Sequence, residues 1–489
     1  MDHPSSPRLW RNRDFLLLWS GQSVSVLGTK VSGLALPLLV LATTHSAAQA
    51  GLITSARMVP YLFLGLPAGA LMDRWNRKVA MIICDVARFF ALGSVPLAWA
   101  MGHLTIAQLY LVALIQGTAF VIFNVAEMAS LPNVVAREDL PQATALDSLA
   151  GSGASLIGPG LSGLIISAAR TTPEGAVMAY LVDAVTYLIS VISLGFIRVP
   201  FQADREVNRK RNLYKDILEG LRFLWDDRRL RALALTSWTL SLLYAPVPLA
   251  MIVLARDQMH ASAGIIGMIF SLSAIGGLVG ASMAVRLKTR LPFGYLVIGP
   301  IVIQALATPL VALAVTPAMM IAGWSIAFMC DPVLSMASTS YRLAVTPDDL
   351  RGRVHGVYRL GGYGAEPLGA ALGGVLLGVI SPRVEILAVA VGVGLCALGV
   401  GLSRLRVTHW PHLETVHEHA HTHQRLEHSH LHTHDEHHQH HHETGVDPSD
   451  PHSHPHVHES LSHSHSHIPD LHHRHRDENA NDANKEAPE

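Results

Sequence analysis

The sequence predicts an all-α membrane protein: twelve helices in two six-helix halves, followed by a disordered His-rich C-terminal tail. Three observations carry that prediction. Half of the 489 residues are apolar and only 15% are charged. The charges gather in short clusters, between which apolar segments run for the roughly 20 residues that a bilayer-spanning helix needs. Twelve such segments follow from Phe15 to Leu405, at about 15–42, 50–72, 79–101, 104–128, 143–169, 175–197, 231–255, 263–286, 293–314, 317–340, 354–380 and 382–404. The third observation is an internal echo: the stretch Leu131–Leu140 leads into a Gly-rich segment, and the stretch Tyr341–Leu350 leads into another. Repetition on the scale of six helices is what a carrier made of two parallel halves shows.

The expected organisation is a first half over 1–197, a basic cytoplasmic linker over 198–230, a second half over 231–405 and a tail over 406–489. The linker carries an amphipathic stretch near Tyr214–Leu224, suited to lying on the membrane surface. Lys and Arg set the orientation. Arg8, Arg11, Arg13, the 74–78 cluster, Arg137, the linker, Arg286, Lys288, Arg290, Arg342, Arg351 and Arg353 fall on one side, against Arg170, Arg256 and Arg383 on the other. Both termini are therefore expected in the cytoplasm. The first apolar segment is too long for a signal-peptide core and should remain as an anchor. Cys84, Cys330 and Cys396 stand apart in apolar segments, which indicates neither a disulfide framework nor a thiolate metal site.

In helix 1, Trp19, Gln22, Ser25, Thr29 and Lys30 form a polar stripe that faces either a wet cavity or a neighbouring helix. Between helices 2 and 3 lies Gly69-Ala70-Leu71-Met72-Asp73-Arg74-Trp75-Asn76-Arg77-Lys78. Its cations resist translocation, and its glycine is expected to let two helices approach closely. Read from composition alone, it is a charged turn obeying the positive-inside rule. It also resembles the G-x-L-a-D-R-x-x-R-K signature of major facilitator transporters. That resemblance implies a conformational latch built from Gly69, Asp73, Arg74, Arg77 and Lys78. In the second half the corresponding signature has decayed, with Gly280 kept but Ala284 and Val285 in place of Asp and Arg.

Gly158-Pro159-Gly160-Leu161-Ser162-Gly163 fits G-x-G-x-x-G by letter. It lies inside a membrane helix rather than after a strand, which excludes a dinucleotide loop. It resembles the helix 5 motif of export-type antiporters, and so implies export through Gly158, Pro159 and Gly163. Ala145 and Ala154 stand where that motif has upstream glycines. No G-x-x-x-x-G-K-[ST] loop occurs, so transport is expected to run on an ion gradient rather than on ATP. No enzyme activity and no nucleic-acid partner are indicated.

A charge in hydrocarbon costs at least ~2.5–3.5 kcal/mol, so each intramembrane ionisable group is a functional candidate. Those groups are Arg57, Asp85, Arg88, Glu127, Asp147, Asp183, Asp331, Arg359 and Glu366. Asp85 and Arg88, one turn apart, are expected to pair. Glu127 and Glu366 lead the candidates for a cavity cation or proton site, followed by Asp147 and Asp183. For each, a helix–helix hydrogen bond is the structural alternative.

Of the 30 histidines, all but His3, His45, His103, His260 and His355 lie beyond Arg406. The repeats are His417, His419, His421 and His423; His428, His430, His432 and His434; His437, His438, His440, His441 and His442; His452, His454, His456 and His458; and His463, His465 and His467. Six contiguous histidines never occur, which sets the segment apart from an affinity tag. It has too few apolar residues to bury a core, so it is expected to lack order without a ligand. Neutral imidazole binds Ni, Co and Zn, so the tail is a candidate metal binder, while no cofactor is expected for transport itself. A twelve-helix facilitator with such a tail resembles the bacterial nickel-resistance exporters of the macrolide- and siderophore-efflux branch. The resemblance implies a monomeric, multi-pass carrier of the bacterial inner membrane, contacting lipid and exporting nickel, or cobalt second, against protons. The alternative is efflux of a drug, siderophore or other small organic molecule, with the tail as metal buffer.

Overall fold

Short loops closed by capping side chains turn the apolar segments into an up-and-down bundle. The computed structural model describes residues 8–65, 67–72, 74–202, 213–348, 350–403, 405, 417–423, 426–432, 452–458 and 461–467. The first half holds α1 (Arg13–Thr44), α2 (Ala47–Leu64, continued by Pro67–Met72), α3 (Arg77–Ala100), α4 (Ile106–Val134), α5 (Leu140–Ala168) and α6 (Thr172–Phe196). The second holds α7 (Arg228–Tyr244, continued by Val247–Val253 and a π turn Leu254–Gln258), α8 (Ala263–Arg290), α9 (Phe293–Ala312), α10 (Pro317–Val345), α11 (Arg351–Leu376) and α12 (Pro382–Leu402). Asn12, Ser46, Asn76, Thr105, Thr171, Ser262, Thr316 and Ser381 each accept a hydrogen bond from the backbone N–H three residues on. Each cap satisfies a donor that the helix start would otherwise leave bare.

Ten of these helical segments are long and apolar enough to cross a membrane. The other two, α2 and α11, alternate in direction with them and complete the twelve among the described residues. They are less apolar because they carry Arg57, Arg359, Glu366 and many small residues.

At the face opposite the basic loops, two glycine seams join the halves. A Cβ on Gly51 of α2 would lie 2.5 Å from Gly374 Cα and 2.7 Å from Ala370 O of α11. A Cβ on Gly163 of α5 would lie 2.5 Å from Ala263 O and 3.1 Å from Gly267 Cα of α8. Backbone therefore touches backbone, as small residues allow between membrane helices. The second seam also carries hydrogen bonds from Gly160 N to Ser271 Oγ, 2.7 Å, and from Gly264 N to Ser167 Oγ, 2.8 Å. One apolar core runs through both halves and continues down the second half to Leu230, Phe293 and Tyr341 near the basic face, whereas there the first half has a core of its own around Phe15, Met81 and Phe123.

The signature between α2 and α3 works within the first half. Arg77 donates to Ala129 O at 2.6 Å and Phe201 O at 3.4 Å, and Lys78 donates to Ile197 O at 2.6 Å. Both cations thus staple α3 to a carbonyl in the C-terminal part of α4, to the C-cap of α6 and to the segment just beyond it. Arg74 is exposed. The expectation of a close helix approach at Gly69 needs correcting: a Cβ there would meet nothing within 4 Å, because Ala68 and Met72 are the residues this short helix buries. Asp73 lies outside the described residues.

The linker reading also changes. A helix over Leu213–Asp226 is bound to the start of α11, with Arg353 Nε 3.0 Å from Asp216 and Arg353 Nη1 2.8 Å from Glu219. Leu224 packs with Ala234 and Val354, while Leu218, Leu221 and Trp225 stay exposed on another side. The helix therefore has one face for protein and one suited to a membrane surface.

The described residues of the tail belong to a unit separate from the helical bundle. Its strands β1 (His417–His423), β2 (Leu426–His432), β3 (His452–His458) and β4 (Leu461–His467) pair antiparallel, β1 with β4 and β2 with β3. The sequence reading gave this segment no order of its own. The period of two in the H-x-H repeats is, however, also the period of a strand. The register sets His417, His419 and His421 opposite His467, His465 and His463, and His428, His430 and His432 opposite His456, His454 and His452. His434, His437, His438, His440, His441 and His442 lie outside the described residues.

Candidate functional site

Between the halves lies a cavity of two adjoining lobes, of about 620 and 660 Å³. Phe328 of α10 lines both. The lining runs from mid-helix down to Glu127 and Ser148 in one lobe and to Arg342 and His355 in the other, toward the basic face. The glycine seams close the opposite end.

The first lobe is walled by the polar stripe of α1. Gln22, Ser25, Thr29 and Lys30 all line it, with Arg57 from α2, Arg88 from α3, and Phe120, Asn124 and Glu127 from α4. Behind the stripe, Asp85 and Arg88 form the expected pair at 3.1 Å. Ser190 donates to Asp85 at 2.6 Å and receives a bond from Gln22 Nε2 at 3.1 Å. The Arg88 guanidinium lies 5.1 Å from the centroids of both Phe123 and Tyr187. This network fixes α1, α3 and α6 as one block behind the lobe.

Helix 5 acts through its glycines. A Cβ on Gly158 would collide with Lys30, so α5 meets α1 at that cation; Pro159 O abuts Gly267, and Gly163 forms the seam with α8. The exporter-type motif therefore sits where α5 touches both α1 and the other half.

In the second lobe, Gln304 Nε2 donates to Asp331 at 2.6 Å and Tyr244 shares a 3.0 Å hydrogen bond with Thr308. The Arg342 guanidinium stacks 3.5 Å above the Tyr358 ring. Arg359 donates to the Tyr61 hydroxyl of α2 at 2.9 Å, and the Tyr61 and Tyr363 rings lie 4.1 Å apart. Arg359 thus bridges the halves beside the cavity.

Glu127 and Glu366 line different lobes. Asp147 of α5 is half-buried and is not among the residues that line either lobe. Asp183 is a correction: it is fully buried in the α1–α6 seam, where a Cβ on Gly28 would lie 2.5 Å from its Oδ1, and it does not line the cavity. Among the described residues no three His, Cys, Asp or Glu side chains gather as a metal site. Sequence reasoning passed over Glu385, which is buried on the first turn of α12 with both carboxylate oxygens lacking a hydrogen-bond partner. Its place at a helix start made it look like an exposed first-turn acid. Tyr61 and Tyr363 were missed because single aromatics in apolar segments carry no signal of their own.

A two-lobed helical bundle whose central cavity is mostly apolar with scattered polar groups, and which is sealed at one face, has the architecture of a membrane transporter. The chain belongs to the family described as transmembrane secretion effector (MFS_3), whose model matches residues 5–437. It is 28% identical over 389 residues to the multidrug efflux pump Tap of Mycobacterium tuberculosis H37Rv, covering 78% of this chain and 90% of Tap. It is 26% identical over 396 residues to the enterobactin exporter EntS of Escherichia coli O1:K1, covering 79% and 90%. A bacterial homologue of the human lysosomal transporter Spinster, solved inward-facing and unoccupied, superposes with a TM-score of 0.65 at 16% identity over 82% of this chain and 98% of that one. The protein is an efflux transporter of the major facilitator type.

Proposed function

We propose that the protein exports small organic molecules across a bacterial inner membrane by proton-coupled alternating access, as a monomer with both termini in the cytoplasm. The observation that carries this reading is the cavity. Each lobe has the volume of a drug-sized ligand site, and its wall mixes aromatic rings with scattered hydrogen-bonding groups rather than converging metal donors. The relatives' printed substrates, drugs and a siderophore, point the same way. With the basic face in the cytoplasm, the conformation is open to the cytoplasm. Glu127 and Glu366 are the proton carriers of this reading, and Arg77 and Lys78 hold the latch.

Export of nickel or cobalt is the second reading, and one observation favours it: the tail, whose strand register sets histidine opposite histidine. Under the first reading the same tail binds Ni, Co or Zn as a buffer. Everted vesicles loaded with a drug and siderophore panel beside labelled nickel separate the two. Organic flux without nickel flux supports the first reading and nickel flux alone the second, while no flux at all would point to metal sensing or storage.

A further inference from the structure

We infer that the exported molecule is an organic anion with a flat aromatic body, and that Lys30, Arg57 and Arg359 receive its negative end. This rests on the organic-export reading and adds the sign of the charge. Lys30 leaves α1 at its contact with Gly158 and lines the first lobe. Arg57 is seated against Gly117 of α4, and its Nη1 comes 3.8 Å from where a Cβ on Gly33 would stand. Gly33 is one turn beyond Lys30, so both cations belong to one wall. Tyr61 lies one turn beyond Arg57 and takes the hydrogen bond from Arg359, carrying the basic strip across to the second half.

Aromatic rings accompany that strip. Tyr363 is 5.3 Å from the Arg359 guanidinium, and Phe120 is 6.1 Å from Tyr61. Among the described residues no carboxylate stands within ion-pair distance of Lys30, Arg57 or Arg359. Glu127, Asp331 and Glu366 also line the cavity, and Arg342 adds a cation deeper in the second lobe. A carboxylate facing a wet cavity can shed its charge by taking a proton, whereas a guanidinium keeps its charge at every physiological pH. The permanent charge of the cavity is therefore positive. Cations that repel one another in a low dielectric are relieved by an anion and made worse by a second cation. The adjacent ring faces suit a conjugated body attached to a carboxylate, phenolate or sulfonate.

The test uses the full-length protein in liposomes under a proton gradient, with two probes that share a xanthene skeleton: carboxyfluorescein, an anion, and rhodamine 6G, a cation. Labelled nickel is run alongside. Carboxyfluorescein should move and rhodamine 6G should not. Arg57→Gln and Lys30→Gln should each cut carboxyfluorescein flux about ten-fold or more, while Arg57→Lys retains most of it. Fluorescence anisotropy of carboxyfluorescein on purified, monodisperse protein reads binding separately from transport and should weaken by a similar factor. Rhodamine flux with carboxyfluorescein excluded overturns the anion inference and leaves organic export standing. Nickel flux with neither dye moving overturns both. Absence of carboxyfluorescein binding to monodisperse wild-type protein, or unchanged flux in both Gln variants, overturns the assignment as well.

Discussion

A single methyl group at Gly51 should tilt the balance between the two faces of the carrier. In Gly51→Ala the new Cβ would sit 2.5 Å from Gly374 Cα and 2.7 Å from Ala370 O, both backbone atoms that no rotamer change can move aside. Ordinary contact begins near ~3.4 Å, so α2 and α11 must part by about 1 Å, an overpacking that costs roughly 1–3 kcal/mol. The penalty falls on the sealed state alone. If the two states are near balance, it shifts their ratio about 5- to 150-fold toward opening at that face. Spin labels at His103→Cys and Val315→Cys, both exposed on opposite halves of the sealed face, report the change as a longer distance population in a cysteine-free background. Gly93→Ala is the control, since a Cβ there meets nothing within 4 Å. Gly163→Ala, in the other seam, should shift the ratio independently and roughly additively. An unchanged distance distribution in Gly51→Ala, or the same change in Gly93→Ala, would refute the seam as the seal.

Glu127→Gln and Glu366→Gln should each largely abolish efflux in everted vesicles at normal membrane insertion, and full flux by both would remove them from the coupling path. Asp85→Asn leaves Arg88, 4% exposed, without its counter-charge and should lower stability by about 3–5 kcal/mol. An unaltered melting temperature in detergent would contradict that. Truncation after Arg406 should remove most nickel binding yet spare transport at saturating substrate, so complete loss of flux in a well-folded truncation would make the tail part of the mechanism. Nickel binding to the full chain should fall as pH drops below about 6, because imidazolium cannot ligate a metal, and equilibrium dialysis across that range checks the direction.

Hydropathy marked the helices well where they are straight: the segment read as 382–404 is Pro382–Leu402, and 263–286 extends only to Arg290. It read straight through the interruptions after Leu64 in α2 and after Tyr244 in α7, because a window average registers composition and not where the backbone hydrogen-bond ladder lapses. The cost of burying charge picked out Glu127, Glu366, Arg57, Asp331 and Arg359, all of which line the cavity. It could not separate them from Asp183, equally charged and equally intramembrane, because the difference is which neighbour the side chain meets. The strip formed by Lys30, Arg57 and Arg359 was illegible for the same reason: its members come from three helices, and only the Gly158, Gly117 and Gly33 contacts set two of them on one wall. The octahedral or tetrahedral donor sets of a metal site are likewise properties of convergence, which a count of carboxylates in sequence does not measure.

The grip of Arg353 on Asp216 and Glu219 decides where the chain can be divided. That strut belongs mechanically to the second half, so the covalent joint between halves ends ahead of Leu213 rather than at the first residue of α7. Two co-expressed fragments split between Gln202 and Leu213 should reassemble into a working carrier, each with its buttresses intact. A split after Asp226 strips the strut from α11 and hands it to the wrong partner, and flux from those fragments should be lost.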